Sequence, residues 1–557
     1  MSSEKDVAPT LSSTEVVRRY HDGTKHQFHA FARSLGYLDW ASQPKPFRNY
    51  PGSPVVPLYP APGAARPTGY VPRPATLDEA RGVQLPAVPL TIASLGELLR
   101  YSLGLSAWKQ FGVSRWSLRV NPSSGNLHPT EAYLLCGALH GVNDRPALYH
   151  YAADRHVLEQ RCVFDDEVWR SQCGARPDLV LVALTSIHWR ESWKYGERAF
   201  RYCQHDLGHA IGAVSIAAGL LGWRAVLLPS WPHRAVAAAI GIDRDDDFTE
   251  AEREEPGCIM AIDVAPAPSR TVLVAPSLAD GIRAARWSGH ASQLSEGHIR
   301  WSFIDDVARA TEDFGRTKVP ALFRGDEAVS ANEDRAIDAR HLILQRRSAV
   351  AFDGRSGIDR AAFLRILAAV LPDEGAPWNT VWWSPCVHLA LFVHRVHDVR
   401  PGLYAFVRDG AAFERLRAAS RSEFVWEPAD DRLPLYLLAD GDMRSRAARV
   451  SCDQEIASDG FFSLGMLAEF DASLQMFGPA FYRNLFWETG VVGQVLYLEA
   501  EAAGARATGI GCFYDDPVHD LLGLNGHAFQ SLYHFTVGMP IEDRRLTTEP
   551  GYGWEAP

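Results

Sequence analysis

Four stretches of this 557-residue chain carry side chains suited to chemistry as well as to packing. Asn121-Pro122-Ser123-Ser124-Gly125-Asn126 joins hydroxyls and amides to a backbone broken by proline and glycine, which frees N–H groups for a ligand. Such a loop can hold a polar, aromatic cofactor. The same residues also suit a helix start, with Ser124 or Asn126 as cap, Pro129 near the first turn and Glu131 at the positive end. Arg346-Arg347-Ser348 offers two guanidinium forks and a hydroxyl to a dianionic phosphate, where an isolated Arg-Arg pair would be a solvated helix face. Lys194-Tyr195 is a proton-transfer pair if burial moves either pKa toward neutrality, and otherwise a surface lysine beside a packing tyrosine. In Thr508-Gly509-Ile510-Gly511 the glycines let backbone approach a ligand and donate N–H groups to it, or simply make a turn. His128 is either a pH-sensitive donor or a structural histidine, and Trp189, Trp193, Trp382, Trp383 and Trp487 either stack a planar substrate or fill the core.

The elements that must position these residues follow from periodicity. Residues 1–90 read as an arm. A short helix opens at Ser13-Thr14-Glu15, and its polar end, His21 to His26, either meets a phosphate or is solvated. A proline-dense extended run from Pro44 to Pro89 then lies over a domain surface. A first compact unit, 91–265, begins with Leu95, Leu98, Leu99 and Leu103 at helical spacing and continues with a hairpin around Asp154-Arg155 and a buried strand at 179–185. Its longest apolar run, 208–228, contains Arg224 and ends before Pro229, so a buried helix leading into a strand is expected, not a membrane span. Residues 266–340 read as a connector and 341–557 as a second unit.

Composition narrows the class. With 46% hydrophobic residues and a formal charge of −11 the chain is globular and offers no general surface for nucleic acid. Its eight cysteines have no paired Cys/His spacing, so reduced thiols in a cytoplasmic protein are expected, with no disulfide framework and no metal. The first residues lack a basic segment followed by an apolar run, so no secretory signal is expected.

The second unit repeats the first. Arg201, Asp206, Gly208, Gly222, Arg224 and Ala225 align without a gap to Arg483, Glu488, Gly490, Gly504, Arg506 and Ala507. An acidic residue, a glycine two later, a helix-length gap and Gly-x-Arg-Ala form a specific pattern. Two α+β units in tandem, packed as an intramolecular pseudo-dimer, follow from it; further oligomerisation stays open.

Taken together, the Pro122–Asn126 loop, Arg346-Arg347-Ser348, Lys194-Tyr195-Gly196-Glu197-Arg198 and Thr508-Gly-Ile-Gly-Cys-Phe-Tyr-Asp-Asp516 resemble the nitroreductase superfamily, and within it the SagB-type dehydrogenases of thiazole/oxazole peptide pathways. The resemblance covers about residues 92–265 and 342–540. It implies a mixed, mainly antiparallel sheet wrapped by helices in each unit, with FMN at the interface. It also implies that Arg346, Arg347 and Ser348 hold the flavin phosphate and ribityl chain, that Pro122, Ser123, Ser124 and Asn126 cover the ring, that Gly509, Ile510 and Gly511 approach it, and that Lys194 and Tyr195 handle protons. The Arg-Arg-Ser stands only in the second unit and the Pro-Ser-Ser-Gly-Asn loop only in the first, its counterpart being Trp382-Trp383-Ser384-Pro385-Cys386, so one composite site and one decayed site are expected.

The function this implies is hydride transfer between flavin and a substrate carbon or NAD(P)H, the latter binding transiently because no G-x-G-x-x-G unit is present. Its direction, dehydrogenation of a peptide-like or small heterocyclic substrate or reduction of a nitro compound or quinone, stays open. So does a non-catalytic module that binds flavin or peptide.

Overall fold

A computed structural model describes residues 11–62, 64, 72–82, 85–139, 142–174, 178–264, 272–319 and 337–555. In the first unit, α1 (Ser13–Gly23), β1 (Val55–Pro57) and α2 (Leu77–Arg81) precede a hairpin of β2 (Leu105–Phe111) and β3 (Ser114–Arg119). β4 (Thr130–Cys136), β5 (Ala147–Ala152), β6 (Val157–Val163), β7 (Leu179–Ser186), β8 (Arg224–Leu227) and β9 (Glu255–Asp263) then build an antiparallel sheet in the order β1-β6-β5-β4-β7-β9-β8. β4, β5 and β7 are buried at every position, because helices cover both faces of the sheet centre. Between β7 and β8 stand α3 (His188–Tyr195) and the long α4 (Ala199–Leu220).

The second unit follows the same plan. α6 (Ala339–Gln345) leads to a sheet ordered β13-β14-β12-β11-β15-β17-β16, from β11 (Val387–Val393), β12 (Gly402–Phe406), β13 (Glu427–Pro428), β14 (Leu435–Asp440), β15 (Phe462–Glu469), β16 (Arg506–Ile510) and β17 (Phe529–Gly538). Its helices α7 (Phe470–Phe477) and α8 (Phe481–Ala502) stand where α3 and α4 stand in the first. The chain thus has the expected α+β class, two units of mainly antiparallel sheet with helices on their faces.

α4 and α8 are buried on all sides over nearly their whole length, polar residues such as Asp206 and Glu488 included, as helices at the centre of a large core are. They cross at the two glycines of the repeat. A Cβ on Gly208 would lie 2.3 Å from the Trp487 carbonyl oxygen, and one on Gly490 would lie 2.3 Å from that of His205 and 2.7 Å from the Gly208 Cα. The backbones are in contact, and there is no room for a methyl group between them.

The flanking segments are more integrated than their composition suggests. The polar end of α1 is only partly solvated: Asp22 is exposed, but His21 is buried against Gln530 (2.9 Å), and Arg201 donates to Thr24 Oγ1 (2.9 Å) and to the His21 carbonyl. The proline-dense run adds β1 to the edge of β6, and α2, whose Arg81 pairs with Glu499 at 3.0 Å. From the expected connector, β10 (Arg286–Trp287) also pairs with β6, and α5 (Ser302–Ala310) places Phe303 against Tyr20. Beyond the second sheet, β18 (Thr547–Pro550) returns to pair with β2. Among the described residues no helix is long and apolar enough to cross a membrane.

Gly208→Ala or Gly490→Ala inserts a methyl where two backbones touch. Either change is expected to cost about 1–3 kcal/mol of stability, read as a lowered melting temperature. An unchanged melting temperature in both variants would show that the crossing tolerates separation.

Candidate functional site

Between the units lies a cavity of about 440 Å³, inside the usual range for a cofactor pocket. Pro122, Ser123, Ser124, Gly125, Asn126 and Tyr195 line it from the first unit, and Arg346, Arg347, Ser348, Gly509, Ile510 and Gly511 from the second. Stretches more than two hundred residues apart thus line one cavity. Lys194 sits at the margin, exposed, with Nζ 5.1 Å from the Tyr195 ring centre.

The loop is not a helix start. Gly125, Asn126 and His128 have φ of +58°, +60° and +53°, left-handed values that end one short 3₁₀ turn, and β4 follows, paired on both sides. Asp206 on α4 holds the loop, accepting from Ser124 N and Oγ, both at 2.9 Å. Ser123 Oγ accepts from His128 N (2.8 Å) and Asn126 Nδ2 donates to Ser117 O (2.9 Å). These polar groups therefore shape the loop from within; Asn121, buried with its Oδ1 unpartnered, is the amide left for a ligand. At the loop's far end Arg190 of α3 donates to the His128 carbonyl (2.6 Å) and to Glu131, so the loop and the Lys194-Tyr195 helix share an anchor.

Arg346-Arg347-Ser348 runs along edge strand β16, where Ala349 N donates to Ala507 O at 3.1 Å. Arg346 is buried, donates through Nη2 to the carbonyls of Arg119 and Val120 (both 3.2 Å), and keeps a buried Nε with no partner. Burial lowers its pKa; burial and the neighbouring charges of Arg346 and Arg506 bring Arg347 down to about 10. Crowded like charges at one end of a cavity are what a phosphate dianion would relieve. Ser348 Oγ hydrogen-bonds Tyr497 Oη at 2.8 Å.

The structure decides between the readings left open for the glycines, His128 and the tryptophans. Gly509 N–H donates to Tyr497 Oη (2.9 Å) and is not free for a ligand. A Cβ on Gly509 would lie 1.9 Å from Tyr533 Oη and one on Gly511 2.4 Å from Tyr202 Cε1, so these glycines make room for tyrosine rings. His128 is buried, and burial, with Arg119 and Arg190, holds its pKa well below 6.5, which removes a role as a pH-sensitive donor. Trp189, Trp193, Trp382, Trp383 and Trp487 are buried away from this cavity; the tryptophan on its wall is Trp116.

Tyr195 stands over the loop: a Cβ on Gly125 would lie 2.5 Å from its Oη and 3.2 Å from Lys194 Nζ. Burial, then the Glu191 charge, raises the Tyr195 pKa well above 10, away from neutrality, so it keeps its proton. Beneath it two carboxyls are buried together. Burial raises Asp206 to about 7, and burial with the Asp206 charge pushes Glu191 well above the carboxylate range. Glu191, Tyr497, Tyr202 and Tyr533 carried no local signal in the sequence, whereas Asp206 and Arg506 were marked by the repeat and Asn121 by the loop.

The nitroreductase family model matches residues 343–539, the second unit. A candidate nitroreductase of Methanocaldococcus jannaschii is 27% identical over 141 residues, covering 24% of this chain and 66% of the relative, just under two thirds of its length. A solved candidate nitroreductase of Anabaena variabilis superposes with a TM-score of 0.68 at 19% identity, covering 94% of this chain and 99% of that one.

The fold is that of the nitroreductases. The Anabaena chain matches along both units. In the present chain the pseudo-symmetric counterpart of the loop is filled. Glu488 takes the place of Asp206, accepting from Trp383 Nε1 (3.0 Å), Cys386 N and Val387 N (both 3.1 Å). Trp382 and Trp383 pack edge-on at 5.2 Å and against Phe481. A smaller cavity of about 240 Å³ remains beside Ser215, Arg224 and Ala376.

Glu131, which Arg190 grips, also has a partner whose charge predicts a pH-dependent stability. Buried His150 lies between Glu131 (3.1 Å) and Glu159 (2.9 Å); burial alone would lower its pKa, but those hydrogen bonds and charges raise it to about 9. A raised value means charged His150 stabilises the fold, in full below its ordinary 6.5 and no longer once pH has risen through about 9. The melting temperature of the native protein should fall from about pH 7 to about 10 more steeply than that of His150→Gln. Parallel curves would contradict the assignment.

Proposed function

We propose that this chain is an FMN-dependent oxidoreductase with one flavin site, in the cavity between its units. The observation that carries the reading is the convergence of Arg346, Arg347 and Arg506 on one end of a cavity whose other end is formed by the 121–126 loop and Tyr195. The unpartnered Arg346 Nε and Asn121 Oδ1 fit such a ligand, one as a buried donor toward the phosphate and the other as a buried acceptor. A bound flavin would supply hydride acceptance and donation. The arginines would hold its phosphate and Ser348 its ribityl chain, while the loop clamped by Asp206 keeps the ring wall rigid.

Tyr195, held protonated, is placed to give a proton to a substrate atom, and exposed Lys194 links it to solvent. A protonated tyrosine suits reduction, so a nitro compound or quinone reduced at the expense of NAD(P)H is the favoured direction. The finer placement among SagB-type dehydrogenases rests on the Lys194-Tyr195 pair; a dehydrogenation of a peptide azoline would need Tyr195 to lose its proton, which burial opposes.

Arg346→Ala with Arg347→Ala removes two charge-assisted contacts, so FMN retention should weaken tenfold or more, by about 1.5–3 kcal/mol per contact. Tyr195→Phe should keep the flavin and lower kcat by about ten- to hundredfold. Unchanged FMN retention in the arginine variant contradicts the phosphate site. Flavin bound without turnover toward any nitro compound, quinone or azoline would leave a binding module.

A further inference from the structure

Cys452 and Cys512, distant in sequence, bring their sulfurs to 2.8 Å on the flank of the cavity, which Cys512 lines directly after Gly511. Cys452 reaches this position from a backbone kink in which it and Asp453 have φ of +57° and +55°, left-handed values that side-chain-bearing residues keep only when their surroundings impose them. The surroundings do so. Asp453 is ion-paired with Arg449 at 2.7 Å, and Gln454 Nε2 donates to Ser451 O (2.7 Å) and to Cys512 O (2.9 Å), tying the two segments together. His26 Nδ1 lies 3.7 Å from Cys512 Sγ, and Arg198 donates to the Gly511 carbonyl at 3.3 Å.

Both cysteines are half-buried, so small reagents can reach them, whereas Cys136, Cys162, Cys173, Cys203 and Cys258 are sealed in the core. The contact with Cys452, then the His26 ring, lowers the pKa of the Cys512 thiol, while the same contact and burial raise that of Cys452.

We propose that Cys512 and Cys452 form a two-electron thiol redox centre, with Cys512 as the nucleophile toward a hydroperoxide and Cys452 as the thiol that closes the disulfide. The Cys512 thiolate attacks a peroxide oxygen, the O–O bond breaks, and an alcohol or water leaves after taking up a proton, with sulfenate remaining on Cys512. The Cys452 sulfur then attacks the Cys512 sulfur, the S–O bond breaks, and the oxygen leaves with the Cys452 proton as hydroxide. The two sulfurs lose two electrons in all and the peroxide gains them; an external dithiol reverses the state by exchange, becoming a disulfide itself. The sulfurs must close by under about 1 Å to reach the bonded distance. A metal is the competing occupant, since ligand atoms of His26, Cys452 and Cys512 lie within 4.8 Å of one another. Two thiolates on one zinc sit farther apart than these sulfurs, at roughly 3.7 Å for bonds of about 2.3 Å.

The centre does not depend on the flavin reading, and its test does not use activity. The full-length protein is treated with one equivalent of hydrogen peroxide, alkylated, digested without reductant and mapped by mass spectrometry. The expected result is a 452–512 linked peptide, loss of two of the eight thiols and recovery of both with dithiothreitol. In Cys452→Ser a sulfenic acid on Cys512 should be trapped by dimedone; in Cys512→Ser neither product should form. Retention of all eight thiols, sulfenic acid on Cys452 instead, or stoichiometric zinc binding that is lost in Cys452→Ser would each overturn the proposal.

Discussion

The structure depends on two backbones being allowed to touch. At Gly208 and Gly490 the central helices come together with no side chain between them, and each helix carries the support for one wall of the cavity. Asp206, two residues before Gly208, holds the 121–126 loop. Tyr497, about two turns beyond Gly490, binds Ser348 Oγ and Gly509 N. The separation of the two walls is thus set by the helix crossing, and a side chain inserted there would spread the cavity as well as loosen the core. Close-packed interiors transmit such a displacement because they have no slack to absorb it.

The charge of the cavity is divided along its length. Arg346, Arg347 and Arg506 gather at one end, each partly neutralised by carbonyls or by glutamates at the rim. At the other end burial keeps Asp206 and Glu191 from ionising freely and keeps the Tyr195 proton in place. A ligand with an anionic tail and an uncharged planar head matches that division. The second, pseudo-symmetric position lacks it: Glu488 is committed to Arg408 and to the Trp383–Val387 backbone, and indole rings occupy the space.

Much of this could be read from residue order. The repeat marked both crossing glycines and both loop-clamping acids, because a helix crossing without side chains and a buried carboxylate accepting backbone N–H groups each demand one residue type at one position. The loop and Arg346-Arg347-Ser348 carried their chemistry in local composition, though their adjacency came only from the fold. Other features had no local signature. Gly509 and Gly511 looked like ligand-approach positions, yet Tyr533 and Tyr202 from distant elements occupy the space they leave. The polar cluster at the end of α1 looked solvated because nothing nearby in sequence announces Arg198, Arg201 and Asp515 as its partners. Cysteine spacing suggested isolated thiols, since sulfurs sixty residues apart meet only through the kink at Cys452.

The central claim is that one composite site, built from both units, survives while its twin is filled. Titration of flavin-stripped protein with FMN, followed by calorimetry to obtain the stoichiometry, tests it most directly. The account predicts one FMN per chain; two per chain, or none, would contradict it.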